Sequence, residues 1–173
     1  MLTRPWRSIC AAPLLAFALA VPYLGAEPIG PGRGNVLFTQ QDRVTNFAVS
    51  GSTGIGEQVG TATGAVTGAT VVSFQFNFTG PTNFTFINQV AITDLDGDQL
   101  RCLNVGKGSF LAANPPAGVG GPLEGTYEVL AASTGKYKNW VGRKFPYRGV
   151  AMNSATGTFG GVYVEVYRRR NDQ

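Results

Sequence analysis

The stretch Glu124-Gly-Thr-Tyr-Glu-Val-Leu-Ala-Ala-Ser-Thr-Gly-Lys-Tyr-Lys-Asn-Trp-Val-Gly142 decides the fold. Tyr127, Val129 and Ala131 alternate with Glu128, Leu130 and Ala132. This period of two sends successive side chains to opposite faces of a strand. Ser133-Thr-Gly135 then stops the alternation as a tight turn would, and a second glycine follows at position 142.

Outward from this stretch the same signature recurs. Thr70 to Thr79 places Val72, Phe74, Phe76 and Phe78 on one face and Ser73, Gln75 and Asn77 on the other. After Gly80-Pro81, Phe84, Phe86, Val90 and Ile92 repeat the pattern, so pairing the two runs makes an aromatic surface that must be buried. Asp94-Leu-Asp-Gly-Asp98 leads into Gln99–Val105, and Gly108–Ala112 is a further short strand before the loop Asn114–Pro122. Downstream, Tyr147–Asn153 and Thr156–Tyr167 are strands, the latter with Val162, Val164 and Val166 opposed to Tyr163, Glu165 and Tyr167. Upstream, Val36–Gln40 and Val44–Ser50 form a first pair of strands.

Between them, glycines recur every fourth residue at 56, 60, 64 and 68. In a strand this spacing puts all four on one face with Ala62 and Val66, and Thr61, Thr63 and Thr67 on the other. Such a bare face suits a sharply curved sheet, or one where a neighbour's aromatic ring lies across the backbone. The alternative is a glycine-rich loop.

Glycine makes up 24 of 173 residues, roughly twice the usual ~7%. Short β-branched and aromatic runs, turns every ~8–12 residues and no helical period give an all-β class. The expected fold is a single antiparallel up-and-down β-barrel of about eight strands, with a sandwich as the alternative.

The N-terminus reads separately. Arg4 and Arg7 precede an apolar run from Ile9 to Leu24, and Leu-Gly-Ala26 offers a small-residue cleavage site. The reading is a signal peptide over 1–26, a flexible Pro/Gly linker over 27–35 and a β-barrel domain over 36–173, secreted or periplasmic. Without residues 1–26 the net charge of +4 falls to +2, with 12 basic and 10 acidic residues. The remaining basic groups, Lys136 to Arg148 and Arg168 to Arg170, read as solvated loop and tail charges, so no nucleic-acid partner is expected. Neither is a stable membrane anchor after cleavage. Cys102 then stands alone and reads as a small buried hydrophobe, and no internal disulfide forms.

The chain has no histidine, which excludes Ser-His-Asp chemistry and most zinc sites. Asp94, Asp96 and Asp98 alternate like the start of a calcium loop. The glycine comes too early for one, and Val105 stands where a closing glutamate would. Asp-Gly is a hairpin turn dipeptide, so neither metal nor cofactor is expected. Asn77-Phe-Thr and Asn83-Phe-Thr are formal glycosylation sequons read as chance matches.

Four motifs in order carry a family resemblance: Asp96-Gly-Asp-Gln-Leu100, Gly125-Thr-Tyr-Glu-Val129, Thr134-Gly-Lys-Tyr137 and Thr156-Gly-Thr-Phe159. Across roughly residues 60–167 the chain resembles bacterial exported proteins with an allene-oxide-cyclase-like barrel. Plant dirigent proteins and allene oxide cyclases have a similar turn. Ala131-Ala-Ser-Thr-Gly stands where that family usually has two glycines. The matching motifs are turns and strand ends, so the resemblance implies a fold and transfers no catalytic residue.

A small barrel has room for side chains or for one ligand. Tyr127, Glu128, Arg101, Tyr147 and Glu165 are the candidate ligand-binding residues, with Tyr137 and Arg148 as further polar groups. The expected role is binding a small apolar molecule in the lumen. A cyclase-like or dirigent-like isomerisation there, using neither histidine nor metal, and a filled structural barrel are the alternatives. A homo-oligomer formed through an aromatic face accompanies the last of these. Periodicity defines two faces without saying which is inside.

Overall fold

The computed structural model describes residues 35–110, 120–154 and 159–168. The expected signal peptide over 1–26, nearly all of the expected linker over 27–35, residues 111–119, residues 155–158 and the tail beyond Arg168 lie outside the described residues.

Eight antiparallel strands form one closed barrel in sequence order. They are β1 (Val36–Ser50), β2 (Thr53–Gly64), β3 (Gly68–Phe78), β4 (Asn83–Asp94), β5 (Gln99–Ser109), β6 (Gly120–Val129), β7 (Lys144–Asn153) and β8 (Phe159–Tyr167). Closure comes from β1 pairing with β8, so neither margin of the sheet is left with unpaired backbone groups. A short 3-10 helix, Gly135–Trp140, joins β6 to β7. It occupies the quoted stretch after Val129, so the strand there ends earlier than its alternation suggests and a helical turn follows.

Two pairs of expected strands merge. Val36–Gln40 and Val44–Ser50 are one strand, because Gln41–Arg43 continue the ladder to β2 and β8. Thr45 is then the extra residue of a bulge, Val44 pairing with Gln58 and Asn46 with Glu57. The bulge reverses the alternation and turns Phe47 onto the core. Likewise Gly108 and Ser109 extend β5 instead of starting another strand.

The phenylalanine face is the inside. Phe74, Phe76, Phe84 and Phe86 are all buried, while Ser73, Gln75 and Asn77 are exposed. Those rings are core, not an outer oligomer surface. Their bulk fits because bare backbone lies beside them. Gly54 and Gly56 of β2 pair with Phe76 and Phe74 of β3, and Gly108 and Gly106 of β5 pair with Phe84 and Phe86 of β4. A Cβ on Gly54 would stand 2.3 Å from Cζ of Phe76, and one on Gly56 2.7 Å from Cζ of Phe74. The glycine-faced run is thus a strand as far as Gly64, with aromatic rings laid across it at Gly54 and Gly56, while Thr67 lies in the link and Gly68 opens β3. Val66 belongs to the same link and is fully buried there.

The two ends of the barrel differ. At the end carrying the β2–β3, β4–β5 and β6–β7 links, Tyr137 is buried and Trp140 packs edge-on against Phe145, their ring centroids 5.6 Å apart. This end is plugged. Three carboxylates hold the plug in place. Asp94 Oδ1 accepts from the backbone N–H groups of Asp96 and Asp98, and its Oδ2 accepts from Tyr137 Oη at 3.1 Å. Lys136 Nζ lies 2.7 Å from Asp94 Oδ2 and 3.2 Å from Asp96 Oδ2. The Asp-Gly turn is the expected hairpin, and a lysine ammonium sits between two of its carboxylates. At the opposite end Phe47, Phe78, Phe110 and Phe159 are only partly buried and form an aromatic mouth.

Candidate functional site

Between plug and mouth lies a layer of buried polar side chains. Gln40 and Asp42 point inward from β1, Gln58 from β2, Thr70 from β3, Asn104 from β5 and Tyr127 and Tyr147 from β6 and β7. Each holds the inward phase of its strand, as Asp42 does two residues from Gln40 and four from Phe38. Gly60 makes room for Asp42, since a Cβ there would sit 2.4 Å from the Asp42 carboxyl. Gly106 and Gly125 do the same for the Tyr147 hydroxyl.

A chain of hydrogen bonds crosses the layer. Tyr127 Oη donates to Gln40 Oε1 at 2.9 Å, Gln40 Nε2 donates to Asp42 Oδ2, and Thr70 Oγ1 donates to Asp42 Oδ1. Among the described residues no lysine or arginine is buried, so this carboxyl has no cation beside it in the lumen. Desolvation raises the Asp42 pKa, and the hydrogen bonds from Thr70 and Gln40 oppose that rise. Burial also raises both tyrosines; the nearby Asn104 side chain opposes the rise without reaching hydrogen-bond geometry with Tyr147 Oη. The Cys102 thiol is pushed up to about 12 by burial and behaves as a small hydrophobe.

These side chains border a cavity of about 40 Å³. Gln40, Asp42, Gln58, Asn88, Asn104, Tyr127 and Tyr147 form its polar part, and Phe74, Phe76, Phe84 and Phe86 its aromatic wall. One water needs ~10–15 Å³, so about three or four waters fit. Three buried atoms at its border have no hydrogen-bond partner: Asn88 Oδ1, Asn104 Oδ1 and Tyr147 Oη. Leaving such groups unpaired costs about 1–3 kcal/mol each, so their grouping around one cavity calls for a partner placed inside it.

Of the five residues singled out from sequence, Tyr127 and Tyr147 are brought together here, their ring centroids 5.1 Å apart. Arg101, Glu128 and Glu165 lie on the outer face. Arg101 bonds Gln99, Glu128 pairs with Lys144 at 3.1 Å, and Glu165 accepts from Tyr167 Oη at 2.6 Å. A molecule in the lumen would not meet them. Tyr137 belongs to the plug. Gln40, Asp42, Gln58, Asn88 and Asn104 were not anticipated. The signal was present, since Gln40 and Asp42 keep the phase of Phe38 and Val44, and Asn88 keeps that of Phe86 and Val90. Polar residues on an apolar face register as interruptions until the sheet is seen to continue through them.

Asp42 also makes the site's stability depend on pH. Its folded pKa lies above the ordinary 3.8, so its contribution is fully present below that value and lost as pH rises through the folded pKa. Asp42→Asn removes the ionisation. The variant should therefore gain on the wild type as pH rises across that window and then hold a constant margin. Urea denaturation at acid and neutral pH measures this, and a margin that shrinks with rising pH would contradict it.

No family model, no curated protein and no solved structure matches the chain.

Proposed function

We propose that the protein is an exported binding barrel whose lumen takes up a small, largely apolar molecule. The molecule passes the phenylalanine mouth and sets its polar group against the Asn104–Tyr147 layer. The observation that carries this is the convergence of three unpartnered buried polar atoms on one cavity with an aromatic wall. The half-buried mouth rings would have to turn aside, because the cavity of about 40 Å³ holds only the polar end of such a molecule. Export rests on Arg4, Arg7 and the apolar run that follows. The turn motifs shared with allene-oxide-cyclase-like and dirigent-like barrels support the same reading. An isomerisation in this lumen would draw its acid or base from Asp42.

A second reading, a filled and non-catalytic barrel, is favoured by the cavity's size: about 40 Å³ against the ~300–1,000 Å³ of ordinary ligand sites. Melting curves with 2-phenylethanol and longer phenylalkanols separate the two. Binding raises Tm with concentration, and Val162→Phe, which adds a ring at the cavity wall, removes the rise. An unchanged Tm, with lumen phenylalanine NMR signals unmoved, leaves the filled barrel.

A further inference from the structure

Resting on the lumen-binding reading, we propose that the molecule's polar group is a protonated amine, seated on Asp42 and the side-chain oxygens of Asn88 and Asn104. Asn88 of β4 and Asn104 of β5 are direct cross-strand partners, and Asn104 is in turn opposite Tyr127 of β6. They therefore form one row on the inner wall. Asn104 is 4% exposed and Tyr147 2%, so neither reaches bulk water. The two unpartnered amide atoms are both oxygens, and an amide oxygen can only accept.

The partner that satisfies them must donate. A carboxylate or phosphate could accept from the Tyr147 hydroxyl but would face these two acceptor oxygens and the Asp42 carboxyl, with no buried lysine or arginine among the described residues to offset the repulsion. A neutral alcohol brings one donor. An ammonium brings three donors and the positive charge that Asp42 lacks, in a volume that the 40 Å³ cavity accepts. The walls agree with this. Phe74 and Phe86 line the same space, and aromatic faces attract a desolvated cation. The remaining, apolar part of the molecule would occupy the mouth among Phe47, Phe78, Phe110 and Phe159.

The test compares three probes sharing one ring, 2-phenylethylamine, 2-phenylethanol and phenylacetate, titrated into the full barrel by calorimetry and NMR. The amine should bind at least tenfold tighter than the alcohol, and phenylacetate weakest of all. In Asp42→Asn the preference for the amine over the alcohol should vanish while the alcohol still binds. Asn104→Leu should weaken the amine as well, and it serves as the second variant should Asp42→Asn fail to fold. Alcohol binding in the lumen with no preference for the amine, or phenylacetate binding best, overturns the amine assignment and leaves the binding barrel standing. If none of the three perturbs lumen resonances, both readings fall.

Discussion

Phe76→Ala is expected to lower the free energy of unfolding by about 3–5 kcal/mol, the range for deleting a buried aromatic ring from a core. Phe76 is buried at the centre of the aromatic half of the lumen. Its ring centroid lies 5.1 Å from that of Phe78, 5.6 Å from Phe47 and 5.8 Å from Phe84. Rings on three strands would lose their common neighbour, which leaves little to collapse into the gap. The same ring explains the glycine opposite it. The three closest contacts of a Cβ on Gly54 are all atoms of the Phe76 ring, at 2.3, 2.6 and 2.8 Å. Gly54→Ala should therefore cost about 1–3 kcal/mol in the wild type and much less beside Phe76→Leu. Urea denaturation of the four proteins in this cycle gives the coupling directly, expected at about 0.5–3 kcal/mol. Additive costs would show that the ring does not hold Gly54 bare.

At the plugged end, Gly135→Ala should cost about 2–4 kcal/mol, from two causes that add. Gly135 has φ +51°, in the left-handed region that a side chain disfavours by about 1–2 kcal/mol. An added Cβ would also stand 1.8 Å from Asp98 Oδ1, displacing the carboxylate whose Oδ2 accepts from the Lys136 backbone N–H at 3.1 Å. Losing that bond loosens the 3-10 helix that carries Tyr137 and Trp140 into the barrel end. Thermal unfolding followed by Trp140 fluorescence measures the cost, and an unchanged Tm would contradict it.

Acid should act on the same plug. The Lys136 ammonium, with Tyr137 and backbone N–H groups, holds the Asp94 carboxyl below its ordinary 3.8. Its contribution is present above that value and is lost as pH falls through the lower, folded one. Asp42 and Asp94 thus oppose each other, since the buried acid favours the folded state when protonated and the paired one when ionised.

Much of the barrel was legible along the chain because strand burial has a period of two. The alternations of Val72 to Phe78, of Phe84 to Ile92 and of Val162 to Val166 each appear in the structure with the expected face partners. Where the alternation carried polar residues it was harder to follow. Gln41-Asp-Arg43 looks like a link between strands, yet its backbone pairs on both sides, with β2 and with β8. The residues that make the candidate site lie in such interruptions.

By itself the chain determined which residues share a face within most strands, and it marked the Gly80-Pro81 and Asp96-Gly97 turns, since both follow from local geometry and the special conformations of glycine and proline. Only the tertiary structure decided that the phenylalanines face inward, that Asp42 and Asn104 border the same cavity, and that Arg101, Glu128 and Glu165 face outward. The reason is that inside and outside belong to the closed sheet. A ring is buried when a neighbouring strand offers bare backbone beside it, and Gly54 meets Phe76 across a pairing that the chain reaches only by folding back on itself.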